Sequence, residues 1–268
     1  MREVVLRLPR IAVEDVLDRL LPIVPGGVRE GRSGAHVELL LRGPEVPPAD
    51  VITAAVGPWP HTLAEREVSD DWRERRRADY APDVIGGRLV VRPEWAPAPP
   101  PGPDTIDIVL AEAVAFGSGT HPTTRTCLEL LLDAGPTGAF ADLGCGSGVL
   151  AIVAARLGWA PVVALDIDAG SVASARANTT ANDVRVDAYV ADLSCEAPPV
   201  CAGFAANVPA GLHAQIAAQF ADVPRYGLCS GFGTEDADDV VIAYAARGLH
   251  QRRRVTSGGW SVLVLGRD

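Results

Sequence analysis

The sequence predicts an α/β protein: an open, mostly parallel sheet with helices on both faces, preceded by a small α+β sandwich. Three observations carry this. From residue 140 onward, short apolar runs alternate with helical runs, the pattern that builds a parallel sheet. A glycine turn, Gly144-Cys145-Gly146-Ser147-Gly148, joins the first of those runs to its helix. The first 68 residues follow a different order, strand, helix, two strands, helix, strand.

In chain order, residues 3–8 alternate as a strand, and Val13, Val16, Leu17, Leu20 and Leu21 fall on one helical face. Pro25-Gly26-Gly27 ends that helix. Residues 28–32, the turn Ser33-Gly34 and the alternating run 35–42 read as a hairpin. A helix over 49–56 and a strand over 63–68 complete the β-α-β-β-α-β order of a ferredoxin-like sandwich. It bears no chemical constellation, which points to a docking or recognition module. Asp70 to Tyr80 is a charged, helical connector containing Arg73, Arg75, Arg76 and Arg77. Its first reading is a solvated face, its second a contact for an acidic or RNA partner. Residues 88–92 form a strand, and the proline-rich stretch 96–103 reads as a stiff spacer. The expected organisation is therefore a sandwich over 1–68, a connector and linker over 69–103, and an α/β domain over 104–268.

That domain opens with a strand over 106–110, then the dense motif Ala115-Phe116-Gly117-Ser118-Gly119-Thr120-His121-Pro122-Thr123-Thr124 and a helix over 125–132. The motif is either a capping arrangement or a loop that folds back over a pocket. Strand and helix then alternate: 139–143 with 149–157, 161–165 with 169–178, 185–190, 202–206 with 210–220, and 226–230 with 236–246. Two last strands, 251–256 and 260–265, form a hairpin that tucks one antiparallel strand into the sheet.

Composition narrows the class. The net charge of −10 disfavours a nucleic-acid surface. No apolar run reaches the ~18 residues of a membrane span, and no signal peptide opens the chain, so a cytoplasmic protein is expected. Five scattered cysteines without a C-x-x-C pair read as buried free thiols. The five histidines (His36, His61, His121, His213, His250) have no metal spacing, and no metal is expected. All 24 cationic side chains are arginine, which excludes any mechanism needing a lysine.

The glycine turn carries the chemistry. Alternate glycines let the backbone approach a ligand with no Cβ in the way, and the following helix offers unpaired N–H groups. A dinucleotide turn needs G-x-G-x-x-G, whereas the sixth position here is Val149. From Asp142 the pattern is acid-x-G-x-G-x-G, the look of an S-adenosylmethionine turn. Asp166, at the tip of the second strand, stands where a ribose diol is held by charge-assisted hydrogen bonds.

Four stretches together, Phe116 to Thr124, Asp142 to Gly148, Leu165 to Asp168 and Ala206-Asn207-Val208-Pro209-Ala210, resemble the ribosomal protein L11 methyltransferases, the PrmA family. The resemblance extends to Asp71-Trp72, Gly87 to Trp95, Ser230-Gly231 and the Trp260 run. It implies a Rossmann-like, seven-stranded class I methyltransferase domain with S-adenosyl-L-methionine as cofactor, and a sandwich that recognises the substrate. It also implies Phe116 and Thr124 against the cofactor, Gly144 and Gly146 beneath its methionine part, and Asp166 on the ribose hydroxyls. Asn207, at the tip of the fourth strand, is by the same resemblance expected beside the transferable methyl. Its amide oxygen is suited to accept an amine's hydrogens and to aim its lone pair from about 3 to 3.5 Å.

Asp168 reads as the N-cap of the next helix, Asp192 as either an adenine contact or a loop acid, and His121 and His213 as structural at least as readily as catalytic. Three departures stand out: Ser118 for the family's Thr, Val208-Pro209 for two larger apolar residues, and the composition of 193–200. The expected function is methylation of lysine or N-terminal amino groups of ribosomal protein L11, by a monomer that needs neither membrane nor nucleic acid. The alternatives are the same chemistry on another protein or a small molecule, and a non-catalytic cofactor-binding module.

Overall fold

In the first unit, alternation sets the sheet face. The computed structural model describes residues 2–24, 28–33, 36–42, 46–67, 84–100, 102, 104–111 and 121–267, and the chain divides into two units, Met1–Tyr80 and Ala81–Asp268. Strands β1 (Arg2–Pro9), β2 (Val28–Ser33), β3 (His36–Arg42) and β4 (Thr62–Glu67) pair antiparallel in the order β2-β3-β1-β4, with α1 (Val13–Leu20) and α2 (Ala49–Val56) in the crossovers. Val4, Leu6 and Leu8 bury one face of β1 against Leu39, Leu41, Val16, Leu20, Ile52 and Val56. On the opposite face Glu3 is fully buried. It sits in register with Arg42 and Arg66 on the flanking strands and pairs with both guanidinium groups, so its charge is compensated twice where an unpaired one would be destabilising.

The second unit starts earlier than the expected 104. Strands β5 (Val84–Ile85), β6 (Leu89–Pro93) and β7 (Ile106–Leu110) form a three-stranded sheet in which β6 and β7 run parallel. Ile85, Leu89, Ile108 and Leu110 share one core with α3 (Pro122–Leu132) and α4 (Val149–Arg156). The proline-rich stretch therefore connects two strands of one sheet and does not link two domains. A parallel pair cannot be closed by a tight hairpin and needs a longer connection. The division between the units falls within 69–103, but the 84–93 segment belongs to the second unit. The expected connector helix over 70–80 lies outside the described residues.

The main sheet comprises β8 (Phe140–Leu143), β9 (Val162–Asp166), β10 (Asp187–Val190), β11 (Gly203–Asn207), β12 (Tyr226–Gly233), β13 (His250–Ser257) and β14 (Trp260–Gly266), ordered β10-β9-β8-β11-β12-β14-β13. The first five are parallel. The terminal hairpin inserts β14 antiparallel to β12 and leaves β13 at the edge. Helices α3, α4 and α5 (Ala169–Ala181) cover one face, and α6 (Ala210–Gln219) and α7 (Ala237–Ala245) cover the other, each over its own apolar core. Strand order reverses between β8 and β11, and ligands of open α/β sheets bind at the carboxyl ends of strands at such a switch point.

Two helices run past their expected limits: α3 begins at Pro122 and α5 continues to Ala181. All five cysteines are free, but Cys195 is exposed and only the other four are buried. Among the described residues, no helix is long and apolar enough to cross a membrane, and no three His, Cys, Asp or Glu side chains group as a metal site.

Candidate active site

The switch point is built from two tips, the glycine turn after β8 and Asn207 at the end of β11. Gly144, Gly146 and Gly148 have φ of +77°, +52° and +76°, a region that side chains other than glycine seldom enter. A Cβ on Gly144 would stand 2.4 Å from Cγ1 of Val208, and one on Gly148 would stand 2.9 Å from Cβ of Ala175 on α5. Gly144 and Gly146 keep partial exposure while Cys145, Ser147 and Gly148 are buried, so these two glycines form the open floor.

The turn is tied to β9. The Leu165 carbonyl accepts from the N–H groups of Gly144 and Cys145, each at 2.8 Å. Asp166 accepts from Gly146 N–H at 2.9 Å with Oδ2 and from Asp168 N–H at 3.0 Å with Oδ1. A carboxylate has about four acceptor sites, so capacity remains on this half-buried group for a diol. Asp168 caps α5 by accepting from Ser171 N–H at 2.7 Å. Asp192 accepts from Ser194 N–H at 2.9 Å within its own loop. The Ser194 hydroxyl and then that backbone bond hold it below the usual carboxylate range.

Asp142 lies under the turn, 1% exposed. Gly148, the N-cap of α4, has no side chain to offer, and Oδ2 of Asp142 accepts instead from Ala151 N–H at 3.0 Å. Burial, with the nearby Asp166 charge adding to it, pushes the Asp142 carboxyl up to about 8, against the lowering effect of that bond.

At the second tip, Nδ2 of Asn207 donates to the hydroxyls of Thr123 and Thr124 at 3.3 and 3.4 Å. Both threonines are buried because α3 starts at Pro122 and carries them in its first turn. His121 is the N-cap: Nδ1 accepts from Thr123 N–H at 3.3 Å and lies 2.7 Å from that hydroxyl, and its ring meets Trp260 edge-on. Oδ1 of Asn207 is buried and has no hydrogen-bond partner among the described residues. An orphaned buried acceptor is rare in a folded protein and calls for an explanation.

Val208 anchors this tip. Its N–H donates to Ser230 O at 3.0 Å, and its carbonyl accepts from Nε2 of His213 at 3.2 Å. His213 also donates to Ser230 O at 3.0 Å, and its Nδ1 lies 3.2 Å from the Tyr244 hydroxyl. Burial pushes His213 down to about 4, although both carbonyl contacts favour its charged form. The imidazole is neutral, bonded on both nitrogens, and structural. Gly231, at φ +92°, lets a β-bulge in β12 pass the Val208 backbone, since a Cβ there would lie 2.4 Å from Val208 O.

Of the residues expected from sequence, the structure brings Thr124 to Asn207 and Gly146 to Asp166, and sets Gly144 against Val208. Phe116 lies outside the described residues. The reading of the sequence gave no part to Asp142 beyond the motif and did not single out the amides of α5. Two asparagines four residues apart, Asn178 and Asn182, were the available signal.

A family model described as ribosomal protein L11 methyltransferase (PrmA) matches residues 56–268. The chain is 36% identical over 220 residues to the ribosomal protein L11 methyltransferase of Geobacter metallireducens, covering 81% of this chain and 72% of that protein. It is 36% identical over 231 residues to that of Burkholderia ambifaria, covering 82% and 76%. It spans 62% of the length of the Gloeobacter violaceus relative. The crystal structure of ribosomal protein L11 methylase from Lactobacillus delbrueckii subsp. bulgaricus is similar with a TM-score of 0.60 and 26% identity, over 68% of this chain and 95% of that one.

Proposed function

Since the chain belongs to the ribosomal protein L11 methyltransferase family, we propose that it transfers methyl groups from S-adenosyl-L-methionine to amino groups, lysine side chains or the N-terminal amine, of ribosomal protein L11. The observation that carries the reading is the buried Oδ1 of Asn207 at the switch point, which has no partner among the described residues. An amine brings N–H donors to such an oxygen, and a pocket ready to receive them has no need of a strong base.

The residues fit the cofactor. Gly144 and Gly146 hold positive φ and keep a partly exposed backbone at the turn, and Asp166 retains acceptor capacity at the rim. When bound there, S-adenosylmethionine supplies an electrophilic methyl on a sulfonium. Thr123 and Thr124 fix the carboxamide by taking its Nδ2 hydrogens, which leaves Oδ1 directed to the acceptor. That oxygen orients the amine and stabilises positive charge developing on nitrogen. A free α-amine has a pKa near 7.7 to 8.0 and a lysine near 10.4, so the pocket acts on the neutral fraction. Every residue invoked comes from one chain, and the reading requires neither a partner subunit nor nucleic acid. Its substrate places the work in the cytoplasm, with the first unit as recognition module.

A second reading keeps the chemistry and changes the acceptor. The family match begins at residue 56, which leaves β1 to β3 outside it, and Val208-Pro209 departs from the pattern beside Asn207. Transfer of labelled methyl into ribosomal proteins from a strain lacking this gene, resolved by intact mass, decides between them: gains in units of one methyl on L11 are expected, and labelling elsewhere alone would favour the second. Within either reading, Asn207→Ala lowers turnover on the order of 100-fold and leaves cofactor affinity nearly unchanged. Equal losses in both would assign Asn207 to the cofactor.

A further inference from the structure

Asn178 on α5 and Asn182, its C-cap, stand one turn apart, 0% and 3% exposed, and a buried carboxamide is destabilising unless its groups are paired. Asn182 serves the free edge of β7. Its Oδ1 accepts from Val109 N–H at 2.8 Å, and its Nδ2 donates to Val109 O at 2.6 Å and to Asn178 O at 2.8 Å. Val109 is thus held on both backbone groups, much as a neighbouring strand would hold it.

Asn178 bridges two different stretches. Its Oδ1 accepts from Ala111 N–H at 2.8 Å, and its Nδ2 donates to Ser147 O at 2.9 Å. Ser147 belongs to the glycine turn, and Ala111 leads from β7 toward the motif that ends in His121, Thr123 and Thr124. The Ser147–Gly148 peptide is held at both ends, its carbonyl by Asn178 and its N–H by Cys145 O at 2.8 Å. Peptides beside glycine flip readily, because glycine adopts both signs of φ. A flip here would change the shape of the floor formed by Gly144 and Gly146.

We propose that Asn178 is a positioning residue for the cofactor pocket, fixing the glycine turn through Ser147 and the end of β7 through Ala111, whereas Asn182 serves the fold alone. The inference rests on the methyltransferase reading for the identity of its ligand.

The test is calorimetric titration of the full chain with S-adenosylhomocysteine, run with thermal melts, for wild type, Asn178→Asp and Asn182→Asp. Aspartate keeps the oxygen that accepts from backbone N–H and removes the donor. Loss of one buried hydrogen-bond partner corresponds to about 10-fold or more in affinity where it acts on the site. Asn178→Asp is expected to weaken binding by that factor, and Asn182→Asp to stay within about 3-fold of wild type despite a similar fall in Tm. No loss in Asn178→Asp, or equal losses in both, would overturn the inference. Failure of wild type to bind would sink the methyltransferase reading instead. Should Asn178→Asp not fold, amide hydrogen exchange on wild type decides: ligand slows Ala111 about 10-fold and Val109 less than about 3-fold, and equal or absent slowing overturns the assignment.

Discussion

Replacing Asp142 with asparagine isolates one buried carboxyl and reverses a pH dependence. The folded group titrates at about 8, an unfolded aspartate at about 3.9. Between those values the folded chain binds the extra proton, so stability is greatest at low pH and falls as pH rises through the window. His213 has the opposite sign. Its folded value is about 4 against about 6.5 unfolded, so its contribution grows with pH across that interval. Below about 6.5 the two slopes offset one another; above it Asp142 acts without that opposition. Each pH unit is worth about 1.36 kcal/mol per proton, so Asp142 costs about 2 kcal/mol between pH 6.5 and 8. The range must stop near 8.5, where unfolded cysteines begin to ionise while burial holds Cys127 and Cys201 up at about 12. Urea denaturation of wild type and Asp142→Asn at steps across this interval gives the difference directly, because contributions common to both chains cancel. Asparagine keeps an oxygen for Ala151 N–H. The variant is expected to gain about 2 kcal/mol on wild type from the lower to the upper end, and parallel profiles would refute the account of Asp142 as a buried, protonated group.

Gly231→Ala forces a side chain into φ +92° with its Cβ 2.4 Å from Val208 O; a loss on the order of 3 kcal/mol and a marked fall in turnover are expected, read by thermal melts and methyl transfer. His213→Phe keeps the ring but removes the donor to Ser230 O and Val208 O, which costs about 2 to 3 kcal/mol. Because His213 is neutral and remote from proton transfer, the pH profile of turnover in that variant is expected to keep its shape, and a lost limb would count against the structural role.

How much of this was legible in the sequence depends on the range of the interaction involved. The glycine turn and Asp166 were readable because local spacing fixes them: strand, turn and helix follow within a few residues, and a glycine demand shows in the residue itself. The parallel sheet and its antiparallel closing hairpin followed from the alternation, whereas the order of the strands has no local mark. The small sheet of β5 to β7 was not readable, because parallel pairing across a proline-rich connection leaves no local mark, and the spacer composition suggested a linker. The end of α5 was set short at 178 because Asn178-Thr179-Thr180 has low helix propensity. The bonds of buried Asn178 and Asn182 to tertiary partners override that preference. Likewise α3 was started late, so the two threonine hydroxyls were assigned to a loop although they are helical and aimed at Asn207. The elevated Asp142 follows from depth beneath a turn, which no spacing encodes.

The same placements bear on the charge that the reaction moves. Methyl transfer from a sulfonium to an amine moves a positive charge from one atom to another and creates none, so the protein has to tolerate a cation throughout and separate no charges. A neutral amine attacks without first losing a proton, so Oδ1 of Asn207 has only to accept a hydrogen bond from it, while a fixed cation beside the reacting atoms would oppose both ends of the transfer. The groups at the two tips match that demand: a carboxamide held by two hydroxyls, a neutral imidazole turned away onto backbone carbonyls, and carboxyl groups at the floor and rim. His213 is suited to its place because burial keeps it uncharged, which secures Val208 without introducing a proton that could compete with the amine for Asn207.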